Sequence, residues 1–339
     1  MKTLSLLFLS SILSIGAYGQ CDDFGPRGPL GVESAGVMNG GWLDVHIPTK
    51  KVIPYEFIRE ADVTWSQKTW RIIDLREKFN HSLYYPLDEI ELGLWNRNST
   101  RLSLWTIMRQ HIINGDLTLY SPFHPIWEQW TDGDQFKYPV VSKITGGTYC
   151  NDDDFRDEIF KYLGTEYEDP FAPAVQSLLD PTFDSTRYDP VLKMMVTVYP
   201  DPDTVWFTSK DIVQYKLKEQ VFFDKERGMM ETRIIGIAPI IFSKNVNGEI
   251  TGYRELFWLY FPECRYVFQN YFVENGRNSS QRMSFDDLFA KRKFQSFIVK
   301  ESNIYDRDIE SYKSGVNALL ESGKIKSELS QFEHDLWSF

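Results

Sequence analysis

The run Glu255-Leu-Phe-Trp-Leu-Tyr-Phe-Pro-Glu-Cys-Arg-Tyr-Val-Phe268 decides how this chain folds. Six apolar residues, 256 to 261, follow one another without a break and stop at Pro262. A membrane-seeking segment, a ligand pocket and the middle of a core all look alike at this length, so the flanks must choose. After Pro262 the period changes. Cys264, Val267, Phe268, Tyr271 and Phe272 fall at i, i+3, i+4, i+7 and i+8, one face of a helix. Pro262 suits a first helical turn through its fixed φ and missing donor, and Glu263 through its charge at the positive end of the dipole. The stretch therefore reads as a strand, apolar on both faces, that breaks into a helix.

Upstream the grammar is that of a sheet. Val213, Tyr215 and Leu217 alternate with Gln214, Lys216 and Lys218, the period of a half-buried strand. A charged turn at residues 224–228 and the turn Asn245-Val-Asn-Gly248 then separate a second apolar run and the opening stretch. This predicts a three-stranded antiparallel meander near 211–261, packed with several helices in an α+β fold. Pro239 implies an edge position or a bulge, because it cannot donate to a ladder.

Helical signals surround the meander. Ser99 and Thr100 can cap a helix carrying Leu102, Trp105, Met108 and Ile112, ended by Asn114-Gly115. Asn151-Asp-Asp-Asp154 opens another, with Phe155, Ile159, Phe160 and Leu163 on one face and Gly164 at its end. Ser284-Phe-Asp-Asp287 resembles a capping box ahead of Leu288 and Phe289. Ile325, Leu329, Phe332 and Leu336 stripe a last amphipathic helix. Residues 294–300 and 137–148 read as extended, and 63–79 as a short helix followed by extended chain. The Pro- and Asp-rich segment 165–190 reads as a long loop able to separate two subdomains within a domain spanning 42–339.

The N-terminus has the layout of a secretory signal peptide: Lys2, an apolar stretch, then Ala17-Tyr-Gly19 before the cut. Residues 1–19 are expected to be removed, leaving 20–41 as a Gly- and Pro-rich flexible tether. Cys21 stands where a lipid-modified cysteine would, but Gln20 replaces the small residue such sites require, which favours plain export. The formal charge of −11 becomes one unit more negative when Lys2 is lost, so bulk charge will not draw the protein to nucleic acid or anionic lipid. Three cysteines allow one internal disulfide at most, and Cys150 with Cys264 is the candidate pair because Cys21 lies in the tether.

No common catalytic pattern is present: no His-Glu-x-x-His, P-loop, Gly-x-Gly-x-x-Gly or zinc-knuckle spacing. The acids at 152–154 fit a helix N-terminus better than a calcium or magnesium site. No two of the five histidines have ligand spacing. Paired carboxylates beside Trp95, Trp105, Trp127 and Trp130 would suit a glycan-binding protein or glycosidase, although packing is the simpler use of those rings. Thus no catalytic, cofactor or metal residue is assigned.

Several passages resemble one family. They are Asp74-Leu-Arg-Glu77, Leu83-Tyr-Tyr-Pro86, the run from Tyr215 to Lys225, Arg233-Ile-Ile-Gly-Ile-Ala-Pro239, the opening run, and Phe332-Glu-His-Asp-Leu-Trp-Ser-Phe339. Together, and in this order, they are similar to the GldN (PorN) family, most closely from about 205 onward. The resemblance implies a non-enzymatic periplasmic component of the type IX secretion and gliding machinery of Bacteroidota. It also implies ring assembly with a GldK (PorK) lipoprotein at the outer membrane and contact with GldM (PorM). Because aromatic residues concentrate at interface centres, Trp127, Trp130, Trp337 and Phe339 are the candidate contacts.

Overall fold

The computed structural model describes residues 51–91, 94–96, 101–124, 132–167, 186–189, 194–197, 203–244, 249–275, 278 and 282–336. The leader, the tether, Cys21, the turn at 245–248, and Trp127, Trp130, Trp337 and Phe339 lie outside these residues. The fold is α+β, built on an open antiparallel sheet of eight strands. In chain order they are β1 (Val63–Asp74), β2 (Leu119–Tyr120), β3 (Pro139–Val140), β4 (Ile212–Asp224), β5 (Met229–Lys244), β6 (Ile250–Glu255), β7 (Trp258–Tyr260) and β8 (Phe297–Glu301). Their spatial order is β8-β1-β4-β5-β7-β2-β3, with β6 also paired to β5.

The meander is present as β4, β5 and β6. Asp224 closes its first turn by accepting from Glu226 N at 2.9 Å, and Gly228 takes φ 65°, which a side chain would resist. The expected third strand is divided in two. β6 pairs with residues 240–244 of β5 and β7 with Gly236 and Ile237. Pro239 sits at the changeover between them, so it marks an interruption in an interior strand rather than an edge. Its carbonyl still accepts from Leu256 N, at 3.0 Å.

The opening run is confirmed as a junction. β7 gives way to a helix, Phe261–Phe268, with proline in its first turn. Leu256, Phe257, Trp258, Leu259 and Phe261 are all at or below 2% exposure, because the sheet is covered on both faces at this point. Residues 63–79 correct an expectation. β1 begins at Val63 directly after a 3-10 turn at Glu60–Asp62, so within 63–79 the extended chain comes first. β1 lies between β4 and β8, with ladders on both flanks, and its β-branched and aromatic residues suit that place. The extended reading of 137–148 shrinks to the two residues of β3.

Six helices are described: α1 (His81–Tyr84), α2 (Leu104–Ile113), α3 (Asp153–Leu163), α4 (Phe261–Phe268), α5 (Phe285–Ala290) and α6 (Val316–Leu336). One face of the sheet, through Ile73, Tyr215, Leu217, Ile237 and Leu259, packs against α2, α4 and α5 in the main core. α2 starts later than its capping residues suggested, with Ser103 accepting from Thr106 N at 3.2 Å, and all ten of its residues are buried. Its polar residues are therefore paired inward: Arg109 donates to Phe207 O at 2.8 Å, and His111 lies 2.8 Å from the Tyr271 hydroxyl. Ser103→Ala is expected to cost about 1 kcal/mol, read as a lower urea midpoint at unchanged slope.

α6 closes the β8 edge. Ile325 packs on Ile298 and Ile309, and Ser322 Oγ accepts from Ile298 N at 2.8 Å, which satisfies a donor on the outermost strand. The ends of the expected 165–190 loop are ribbons. Gly164–Tyr167 pairs with Asp203–Trp206, and Thr186–Asp189 with Met194–Thr197.

Candidate functional site

Among the described residues, no α-helix packs on the sheet face opposite the main core. Side chains of β1, β4, β5, β7 and β8 floor a cleft of about 690 Å³ there, walled by residues 132–136 and by the loop after β8. Strand register builds it. Trp70 of β1 stands opposite Lys218 of β4 and Lys300 of β8. The two ammonium groups lie 5.5 and 4.8 Å from the centre of its ring, within cation–π range. Lys68, two residues earlier on β1, points the same way and is exposed. It makes no ion pair among the described residues.

The chain itself shows how this surface holds a carboxylate. Asp134 Oδ2 accepts from Trp70 Nε1 at 3.1 Å and pairs with Lys218 Nζ at 3.1 Å. The same ammonium donates to Asp134 O at 2.6 Å. Phe136 follows in left-handed backbone, φ 56°, a conformation costing on the order of 1 kcal/mol for a residue with a side chain. The benefit is placement: its ring lies against Gly236, where a Cβ would come within 2.6 Å of it. Tyr120 and Tyr260 pack edge-on to it at 5.2 and 5.6 Å. Deeper in, Glu255 is held by Lys216 Nζ at 2.6 Å and by Trp258 Nε1 at 2.9 Å.

The two interior lysines titrate in opposite directions. Burial works against both ammonium groups. At Lys216 the Glu255 carboxylate overrides it and holds the pKa above the ordinary value. At Lys218 burial wins over Asp134, helped by repulsion from Lys68 and Lys300, and the pKa falls. Stability linked to Lys216 is complete below the ordinary value of about 10.4 and is lost as pH rises through the higher folded value. The sign reverses for Lys218, whose cost is full below its lowered value and fades as pH rises toward the ordinary one. Lys218 also corrects the sequence reading of β4: at 6% exposure it is not on a solvated face.

Trp105, Asp152, Cys150 and Cys264, singled out from sequence, do not line this cleft. Trp105 is 1% exposed, stacked on Phe257 at 5.9 Å with its N–H on Phe207 O, so it offers no sugar platform. Asp152 caps α3 by accepting from Phe155 N at 3.3 Å, and the Ser142 hydroxyl that donates to it helps hold its pKa down. Arg265 braces the junction by an ion pair with Asp286 at 2.8 Å. Tyr55, from the segment before β1, lies over Arg265 and Arg233 at 4.4 and 5.1 Å. The proposed disulfide is not formed. Cys264 is completely buried in the main core, whereas Cys150 is exposed ahead of α3, so the two thiols are not joined. Burial also pushes the Cys264 thiol well above its usual range. Iodoacetamide is expected to leave Cys264 unmodified in the native protein and to alkylate it in urea, as read by peptide mass spectrometry.

Among the described residues no group of three or more His, Cys, Asp or Glu is placed to hold a metal ion. None of the described helices is long and apolar enough to cross a membrane. The cleft is lined by paired charges and aromatic rings. The profile described as gliding motility associated protein GldN matches residues 58–338, most of the chain and nearly all of the described fold. The chain belongs to the GldN family. No curated protein matches it. Membership makes this GldN-family chain a component of the gliding motility and type IX secretion machinery. The match takes in β1 through α6, so the cleft lies within the family region.

Proposed function

We propose that this GldN-family chain is a non-enzymatic scaffold subunit of the type IX secretion apparatus, working in the periplasm at the inner side of the outer membrane. In this reading it assembles with a GldK-type lipoprotein and further copies of itself into a ring that meets the periplasmic part of a GldM-type protein. The family match over residues 58–338 carries the proposal. Surface chemistry supports it. Val316, Leu319 and Leu320 at the start of α6 are 74, 59 and 66% exposed, and Ile304 is 98% exposed. Large apolar side chains grouped on a surface mark contact sites. Trp127, Trp130, Trp337 and Phe339 remain candidate contacts as well.

The test is co-purification from solubilised membranes of cells expressing the chain with residues 1–19 intact. The lipoprotein partner is expected in the same high-mass fraction. A stable monomer that never carries the lipoprotein overturns the proposal. Leu319→Glu with Leu320→Glu is expected to leave the melting temperature nearly unchanged and to reduce recovery of the high-mass fraction.

A further inference from the structure

We propose that residues 51–59 form a latch over an open flank of β5, held shut by Tyr55 between Arg233 and Arg265. The proposal is independent of the scaffold reading and rests on the geometry of this arm.

β5 is an interior strand along only part of its length. β4 takes one flank, and on the other β6 pairs with residues 240–244 and β7 with Gly236 and Ile237. Beside residues 229–235 no described strand continues the sheet on that second flank. Every second residue of an antiparallel strand turns its N–H and C=O away from its one partner, so this run is an edge inside the sheet. An uncovered edge invites pairing with another chain.

The arm lies across that flank. Arg233 shares the cleft face of the sheet with Gln220, its register partner and one of the cleft residues. Arg265 belongs to α4, which packs on the core face. The Tyr55 ring lies 5.1 Å from the first guanidinium and 4.4 Å from the second, so it spans the edge between the two faces. Each guanidinium is already fixed by a carboxylate. Arg233 donates to both oxygens of Glu231 at 2.8 and 3.1 Å, and Arg265 to both of Asp286 at 2.8 and 3.4 Å. A carboxylate held in that way occupies the guanidinium plane and leaves its faces to an aromatic ring. Burial in this seat raises the Tyr55 pKa.

The rest of the arm is lightly held. Val52 and Ile58, three residues to either side of Tyr55, are half-buried, whereas Ile53 and Phe57 are 79 and 91% exposed. A period of three differs from the period of two that a ladder strand shows. Among the described residues no backbone ladder joins the arm to β5. Arg233 Nη1 donates to Glu56 O at 3.0 Å, and the Glu56 carboxylate pairs with Arg227. A segment with so few buried contacts opens locally while the sheet stays folded. Tyr55 is its catch, and when the ring leaves, the edge at 229–235 is uncovered.

The experiment compares the purified full chain with Tyr55→Ala and Tyr55→Phe, by limited trypsin digestion and by hydrogen exchange, both read by mass spectrometry. Tyr55→Ala is expected to be cut after Lys51 and Arg59 about tenfold faster, since two cation–π contacts are lost. Amides within 229–235 should exchange faster in the same variant, with the melting temperature within about 2 °C of wild type. Tyr55→Phe keeps the ring and should keep the wild-type rates. Wild-type cleavage of Tyr55→Ala overturns the proposal. So does unchanged exchange at 229–235, which would mean that the arm does not cover the edge. Cleavage of Tyr55→Phe as fast as Tyr55→Ala would overturn the ring as the catch. A fall in melting temperature of more than about 5 °C would make the arm part of the cooperative core and not a latch.

Discussion

Glu219→Ala is expected to lower the unfolding free energy by about 3–5 kcal/mol, the range for breaking a buried ion pair from one side. Glu219 lies on β4 with no solvent exposure and faces two guanidinium groups. Arg71 Nε of β1 is 2.8 Å from its Oε2, and Arg292 Nη2 is 2.7 Å from its Oε1. The Arg71 contact is an ion pair off the N–H axis, whereas Arg292 donates to both carboxylate oxygens. Burial, with the neighbouring Arg292 charge, already lowers the Arg71 pKa despite Glu219. Removing the carboxylate leaves Arg71 charged in the interior, while Arg292, 37% exposed at its side chain, can turn to water. Urea denaturation should show a lower midpoint at unchanged slope. The double variant Glu219→Leu, Arg71→Met should recover most of the loss, because well-packed apolar replacements remove the desolvation penalty with the charges. A Glu219→Ala protein as stable as wild type would mean the pair contributes nothing.

The second large effect is at Phe268, the last residue of α4. Its ring is fully buried and lies 6.0 Å from Phe261, 6.4 Å from Phe285 and 6.0 Å from Phe289. Phe268→Ala is expected to cost about 3–5 kcal/mol, the transfer of the ring plus the cavity it leaves. Phe268→Leu should cost a fraction of that, since it keeps most of the volume. The same substitution tests the strand-to-helix junction. Two helices and the end of β7 meet at this ring cluster, so the loss should appear in global unfolding and not as local fraying. Equal stabilities for the alanine and leucine variants would show that the site collapses around the gap.

Legibility of the fold followed local periodicity. The switch at Pro262 from an unbroken apolar run to a helical spacing could be read directly, because both sides of it are long and apolar. The caps at Asp152 and Ser284 were visible for the same kind of reason: a short polar side chain stood just before a periodic run, and each accepts from a backbone N–H three residues on. β1 was not legible. Lys68 and Arg71 interrupt its alternation, and nothing nearby in sequence shows that Arg71 meets Glu219 from β4 or that Lys68 faces a cleft. Pro239 announced an irregularity but not its kind, since an edge and a changeover of partners leave the same gap in donors. The cysteine pair failed because spacing says nothing about depth. Cys264 sits on the inward stripe of α4, a position that hides a thiol as well as it would a valine.

Residues 42–339 announced an α+β fold with an antiparallel meander, a strand-to-helix junction at Pro262, and membership of a family without known catalysis, since these rest on residues adjacent in sequence. Tertiary structure alone decided the cleft. Its lysines come from β1, β4 and β8, the carboxylate that pairs with Lys218 from the turn at Gly133–Gln135, and its seat for Phe136 from a glycine on β5. Only the strand register brings residues 68, 218 and 300 into one place, and register is a property of paired strands, not of any one of them.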